Sequence, residues 1–343
     1  MRAWHRSTIL SWPPRGKSSR LADLVLSWRR YIMLKVTRVL TAIVIRVFWA
    51  LTDGHTEELY PQIADTSHAA PETAAFFTSY FTTKSRHDPA KTMAHFSPDL
   101  ITYTDATLGW DLGRFDGVKK IFDLYMPKWP PSGKSYPTEI LGGPSSALVS
   151  FTDTPELFGG ELRIVGALDL KNGKIVRWVD YWDSRSLDHA VDAQLRQPPG
   201  KFATDLKEKA VGENASAKLQ VVAGRMQKAF AEDDAKAAAS LVSYDATYED
   251  MTLRTKVRGR AEIERYLARA LAKAPFGSGS KLRHVVGSDL GGGFEWLASS
   301  GVAGVTAIRL GADGKITAIT TVYDGRLLNE ADLKSLSALS LDP

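Results

Sequence analysis

Asp180 is the side chain in this sequence best placed to do chemistry. It lies in the run Trp178-Val179-Asp180-Tyr181-Trp182, which reads as a β-strand, and the strand period of two puts its carboxylate on the same face as both tryptophans. A carboxylate on an aromatic face could serve as a base in acid/base chemistry. Such a lined pocket suits a small molecule, whereas the bland reading is a solvated edge strand. Asp105 and Asp250 each close a Tyr-x-Asp run just before a loop, after Tyr103 and Tyr248. An aspartate there either faces a pocket or caps a turn, and its recurrence fits both. Asp153 stands before Thr154-Pro155, where a turn cap is again the plain reading.

Other chemistries are excluded or unsupported. The chain has no cysteine, so disulfides, zinc-thiolate sites and thiol nucleophiles are ruled out. His95 and His284 lack partners at metal-ligand spacing, and Gly291-Gly292-Gly293 lacks the lysine of a phosphate loop, so no metal and no cofactor is expected. The net charge of +5 could suggest a nucleic-acid partner, but its location argues otherwise. Residues 1–50 hold ten of the 44 basic residues and one of the 39 acidic ones, which leaves the rest of the chain at −4. No basic stripe interleaved with stacking aromatics follows, so nucleic acid is not expected.

The basic segment reads as a leader. Met33-Leu34-Lys35 opens an apolar stretch to Leu51 with the shape of a secretory signal, and Arg29-Arg30 weakly resembles a twin-arginine export signal. Arg38 and Arg46 interrupt the stretch, leaving Val39–Ile45 as its longest uncharged piece, too short for a membrane span of about 20 residues. Export to a periplasm or medium and a basic amphipathic or unstructured leader in a cytoplasmic protein both remain open.

The elements that must position the aspartates come from an internal duplication. Asp88 to Leu108 aligns without a gap with Asp233 to Leu253, with nine identities that include Tyr103/Tyr248, Asp105/Asp250 and Thr107/Thr252. Asn172 to Arg185 parallels Asp313 to Arg326 in the same way. Each copy opens on a helix with an apolar face (Phe76, Phe77, Tyr80, Phe81; Leu219, Val222, Met226, Phe230), followed by a short helix and the Tyr-x-Asp strand. An amphipathic helix comes next, carrying Val118, Ile121, Phe122 and Tyr125 or Ile263, Tyr266, Leu267 and Leu271. Four strands close the copy, near 135–141, 146–152, 160–170 and 174–183, and near 281–287, 292–298, 302–310 and 315–323. Asn172-Gly173 and Asp313-Gly314 mark hairpin turns. The fold class is α+β: two tandem cone-shaped domains, each a curved antiparallel sheet with helices packed on one face. The segments are a leader and linker over 1–69, domain 1 over 70–187, a linker over 188–214, domain 2 over 215–330 and a C-terminal tail helix over 331–343.

On these residues the chain resembles the nuclear-transport-factor-2-like superfamily, which includes SnoaL-like polyketide cyclases, ketosteroid isomerases and limonene-epoxide hydrolases. Copy two resembles ketosteroid isomerase around Asp245 to Asp250, with Gly259 and Ile263 following, and the resemblance puts Asp250 at the general base. The tyrosine and protonated aspartic acid that such an isomerase needs fall on Met226 and Thr306. Copy one resembles limonene-epoxide hydrolase from Gly173 to Asp183, which implies that Asp180 activates water. Tyr103 and Asp105 fall where that family holds the water, Asp153 falls on its acid, and Phe151 replaces its arginine.

The implied activity is cofactor-independent acid/base chemistry of hydrolase or isomerase type on a small apolar ligand. Asp180 would be the base, Asp153 the acid, and Tyr103 with Asp105 the positioners; Trp178, Trp182, Phe151, Tyr248 and Asp250 would bind ligand. Three carboxylates in one pocket repel, so one of Asp105, Asp153 and Asp180 should stay protonated, and a protonated Asp153 beside an ionised Asp180 would make an acid/base pair. The rival is a catalytically silent ligand-binding or protein-interaction module. Copy two has Thr321 in place of Asp180 and is expected to pack against copy one as an intrachain pseudo-dimer, with homo-oligomers as the other option.

Overall fold

The computed structural model describes residues 58–341, so the leader and export readings lie outside the described residues. Among the described residues no helix is long and apolar enough to cross a membrane.

The end of the segment read as leader and linker forms β1 (Asp65–Ala69), which joins the sheet of domain 1; α1 (Pro71–Ser85), α2 (Pro89–Met93), β2 (Thr102–Asp105), β3 (Trp110–Gly113) and α3 (Phe115–Tyr125) follow. The meander β4 (Ser135–Gly142), β5 (Ser146–Asp153), β6 (Leu162–Lys171) and β7 (Lys174–Tyr181) follows. After a linker with α4 (His189–Leu195), domain 2 repeats the order. It has α5 (Ala217–Ala231), α6 (Ala235–Ser240), β8 (Val242–Asp250), β9 (Thr255–Arg258), α7 (Arg260–Ala270) and a second meander. That meander is β10 (Lys281–Ser288), β11 (Gly291–Leu297), β12 (Ala303–Leu310) and β13 (Ile316–Tyr323), with α8 (Glu330–Ala338) at the end.

Local chemistry starts these helices at matching places. Pro71 and Pro89 occupy first-turn positions, where the missing N–H costs nothing. Asp88 caps the short helix through the N–H of Lys91, and Asp234, one residue past the Asp233 that the gap-free alignment pairs with Asp88, caps its counterpart through the N–H of Ala237. Asn172 and Gly173 both take positive φ, as a two-residue hairpin between twisted strands requires.

The sheets run β1-β4-β5-β6-β7-β2-β3 and β10-β11-β12-β13-β8-β9. Both meanders are antiparallel, but the Tyr-x-Asp strands join them in parallel, β2 on β7 and β8 on β13, so each sheet is mixed. The parallel join arises because each antiparallel meander ends beside a strand laid down before α3 or α7. The parallel join sets Asp105 beside Asp180 and Asp250 beside Thr321. One helix-lined face of each sheet holds the aromatic residues. The opposite faces pack on each other, with Leu141, Val165, Ala167, Val179 and Tyr181 meeting Val286, Val305, Ala307 and Val322.

The second hairpin differs from its sequence reading. Leu170 pairs with Ile175 in domain 1, but Leu310 pairs with Ile316 in domain 2, one residue further on. Upstream of this turn the equivalences therefore slide by one, and Gly166, opposite Asp180, corresponds to Thr306, opposite Thr321.

Candidate functional site

Period two along β7 sends Trp178 and Asp180 to the helix-lined face, and β2 sends Tyr103 beside them. Asp180 is 6% exposed. Its Oδ1 accepts from the indole Nε1 of Trp178 at 2.5 Å and its Oδ2 from the hydroxyl of Tyr103 at 2.9 Å. Burial, with Asp105 adding repulsion, pushes the Asp180 carboxyl up to about 7 against the pull of Trp178, Lys84 and Tyr103. Burial also holds the Tyr103 phenol well above its ordinary range. Gly166 makes room for this arrangement: a Cβ there would stand 2.8 Å from Trp178 Nε1 and 3.3 Å from Asp180 Oδ1.

Asp105 lies beside Asp180 but makes different contacts. Its Oδ1 accepts the backbone N–H groups of Thr107 and Leu108 at 2.8 and 2.9 Å, and its Oδ2 accepts from Trp182 Nε1 at 3.0 Å. Thr107 completes the latch by donating to the carbonyl of Trp182 and accepting its N–H. Domain 2 builds the same latch: Leu253 N–H and the Tyr323 hydroxyl bond Asp250, while Thr252 bridges the backbone of Tyr323. Both aspartates thus secure the turn after the Tyr-x-Asp strand. Burial pushes Asp105 up to about 6 and Asp250 up to about 7.

Asp153, at the end of β5, is bound to a cation that the sequence reading did not single out. Lys84 Nζ donates to both its oxygens at 3.1 and 3.2 Å, with both residues buried. The same ammonium lies 4.9 Å from the ring centroid of Phe151. Lys84 follows Phe77, Tyr80 and Phe81 at helical spacing, so α1's apolar face could have revealed it. It places a positive charge beside Phe151.

Aromatic rings join the two carboxylates. Trp178 stacks on Tyr103 at 5.3 Å and on Phe96 at 6.2 Å, meets Tyr80 at 5.0 Å and meets Phe151 edge-on at 6.1 Å. The Tyr80 hydroxyl is buried, makes no hydrogen bond among the described residues, and lies within electrostatic reach of Asp180 and Asp153. Trp182 serves the Asp105 latch and stands apart from this cluster of Trp178 contacts.

Tyr248 and Asp250 belong to domain 2, in a core with Tyr266, Phe276, Trp296 and Tyr323. There the position of Asp180 is taken by Thr321, which hydrogen-bonds Thr306 at 2.5 Å, and Thr306 accepts from Trp296 Nε1 at 3.1 Å. Among the described residues no group of three or more histidine or acidic side chains is arranged to hold a metal ion.

No family model matches the chain, and no curated protein does. Its neighbours among solved structures are nuclear-transport-factor-2-like, SnoaL-like and ketosteroid isomerase-like proteins. One is a SnoaL-like protein of unknown function from Burkholderia thailandensis, at 15% identity over 32% of this chain and 98% of that one, TM-score 0.29. Another is a putative ketosteroid isomerase from Kribbella flavida, at 19% identity over 38% of this chain and 93% of that one, TM-score 0.29. A steroid delta-isomerase from Pseudomonas aeruginosa aligns at 15% identity over 38% of this chain and 93% of that one, TM-score 0.30.

Proposed function

We propose that domain 1 binds a small, largely apolar molecule against Trp178, Phe151 and Tyr80 and exchanges a proton with it through Asp180. The observation that carries this reading is the Asp180 carboxyl itself, buried, pushed up to about 7 and free of a directly bonded cation. A base with that midpoint is present in both protonation states at neutral pH, the condition under which proton transfer is most effective.

The donors fix where the proton sits. The Trp178 indole only donates, so Asp180 Oδ1 must stay an acceptor, and the proton goes to Oδ2. The Tyr103 oxygen then accepts from Oδ2, which turns its own hydrogen outward. Negative charge developing on a ligand oxygen would meet the Tyr80 hydroxyl and the ammonium of Lys84. In this reading Asp153 works by holding Lys84, and Asp105 by holding the turn. The same layout serves abstraction of a proton beside a carbonyl and activation of a water.

One observation favours a second reading, a silent binding module: both oxygens of Asp180 are already hydrogen-bonded within the protein. Titration with 2-naphthol, an aromatic probe with one hydroxyl, separates the two. The acid/base reading expects an affinity that changes through pH 7 in the wild type and no longer does so in Asp180→Asn. Binding with no pH dependence supports the silent module, and absence of binding overturns both.

A further inference from the structure

The register of the two sheets equates residues of the domains at the face where they meet. Glu139, Ser150, Asp169 and Arg177 of domain 1 stand where His284, Glu295, Arg309 and Ala318 stand in domain 2. Across the interface, His284 Nε2 lies 3.0 Å from Asp169. The contact that mirrors this one joins Arg309 to Glu139. The same two positions are thus bridged twice, with the acid in domain 1 both times and the base in domain 2 both times. Between them Arg177 pairs with Glu295 at 2.8 Å, both side chains wholly buried, and the Tyr181 hydroxyl adds a bond to Glu295 at 2.7 Å.

Exchanging partners shows what this arrangement does. If domain 1 met a second domain 1, Asp169 would face Glu139 in both mirror contacts. Arg177 would face Ser150, lose Glu295 and keep Asp169 of its own sheet, at 3.4 Å, as its one carboxylate, beside the carbonyl of Leu206 at 2.7 Å. If domain 2 met domain 2, Arg309 would face His284, and the buried Glu295 would face Ala318. Like charges and unpaired charges in a dry interface are among the costliest contacts a protein can make. The apolar part of the interface is matched only in places: Val165 and Ala167 have Val305 and Ala307 as counterparts, whereas Leu148 and Tyr181 have Gly293 and Val322.

We infer that this charge set is a pairing code: it admits domain 1 against domain 2 and rejects either domain against a second copy of itself. The partner that fits each sheet face is the other half of this chain. A symmetric dimer of identical sheets needs self-complementary positions, and these positions are self-repelling.

The test rewrites the code in the intact chain. One variant gives domain 2 the domain 1 set (His284→Glu, Glu295→Ser, Arg309→Asp, Ala318→Arg). A second gives domain 1 the domain 2 set (Glu139→His, Ser150→Glu, Asp169→Arg, Arg177→Ala), and a third carries all eight changes and so reverses the code. Each fourfold variant is expected to melt about 5 °C or more below wild type, and the eightfold variant to regain at least half of that loss. A fourfold variant that melts with wild type, or an eightfold variant that loses the sum of both, overturns the inference. Where a fourfold variant fails to fold, the partly exposed pair decides. Glu139→Arg and Arg309→Glu should each lower the melting temperature and together lose less than the sum, with Asp65, which also pairs with Arg309, holding back full recovery; additive losses would contradict the code.

Discussion

Asp180 and Thr321 occupy the same register position in the two sheets, each directly beside the aspartate that ends the neighbouring parallel strand. In domain 1 that position carries a buried carboxyl served by Trp178 and Tyr103; in domain 2 it carries a hydroxyl in a chain from Thr321 through Thr306 to Trp296. The duplication has kept the latch at Asp105 and Asp250 in both halves and the ionisable group at this position in one.

Stability should fall as pH rises from about 4 to about 7. Asp105, Asp180 and Asp250 have folded-state values of about 6, 7 and 7, above the roughly 3.9 of an unfolded aspartate. Groups raised in this way stabilise the fold fully below about pH 4, and that contribution is lost as pH rises through the folded values. Each group contributes a slope of about 1.4 kcal/mol per pH unit between its two values. Urea unfolding at pH 5, 6, 7 and 8 should show Asp180→Asn gaining on wild type as pH rises. A constant difference would contradict the assignment for Asp180.

Gly166→Ala should displace the Trp178 indole, because the added Cβ would sit 2.8 Å from Nε1. A loss of about 1–3 kcal/mol is expected, with a changed near-ultraviolet circular dichroism spectrum. Gly224→Ala is the control. Nothing lies within 4 Å of its added Cβ inside α5, so that change should stabilise by about 0.5–1 kcal/mol.

Lys84→Met should cost about 3–5 kcal/mol by leaving Asp153 buried without its cation. The double variant Lys84→Met/Asp153→Leu should recover most of this in chemical denaturation. A double variant less stable than Lys84→Met alone would show that the pair does more than neutralise itself.

Thr107→Val removes the hydroxyl that satisfies both backbone groups of Trp182, and Thr252→Val does the same at Tyr323. Each should cost about 1–3 kcal/mol. Equal effects would fit a shared structural latch, and a cost confined to domain 1 would argue against it.

The strands of both meanders were legible because each is bounded by turn residues and spaced by hairpins. Asn172-Gly173 could be read directly, since its positive φ pair is a local requirement. The parallel join of β2 to β7 left no local trace, as it depends on partners far apart in sequence. Lys84 was hidden by its type: a lysine on an apolar helix face reads as solvated until Asp153 is seen beneath it. The recurrence of Asp105 and Asp250 was visible, but only the bonds to Leu108 and Leu253 show that both secure a turn. Asp183 and Asp324 also accept, across the domain boundary, the N–H groups of Gly325 and Ser184.

The central claim is that Asp180 holds its proton near neutral pH, buried among aromatic rings. Carboxyl carbon NMR of the full chain, with the resonance assigned by its absence in Asp180→Asn, measures this directly. The account predicts a titration midpoint near 7. A midpoint near 4 would contradict it and leave domain 1 without a proton carrier at neutral pH.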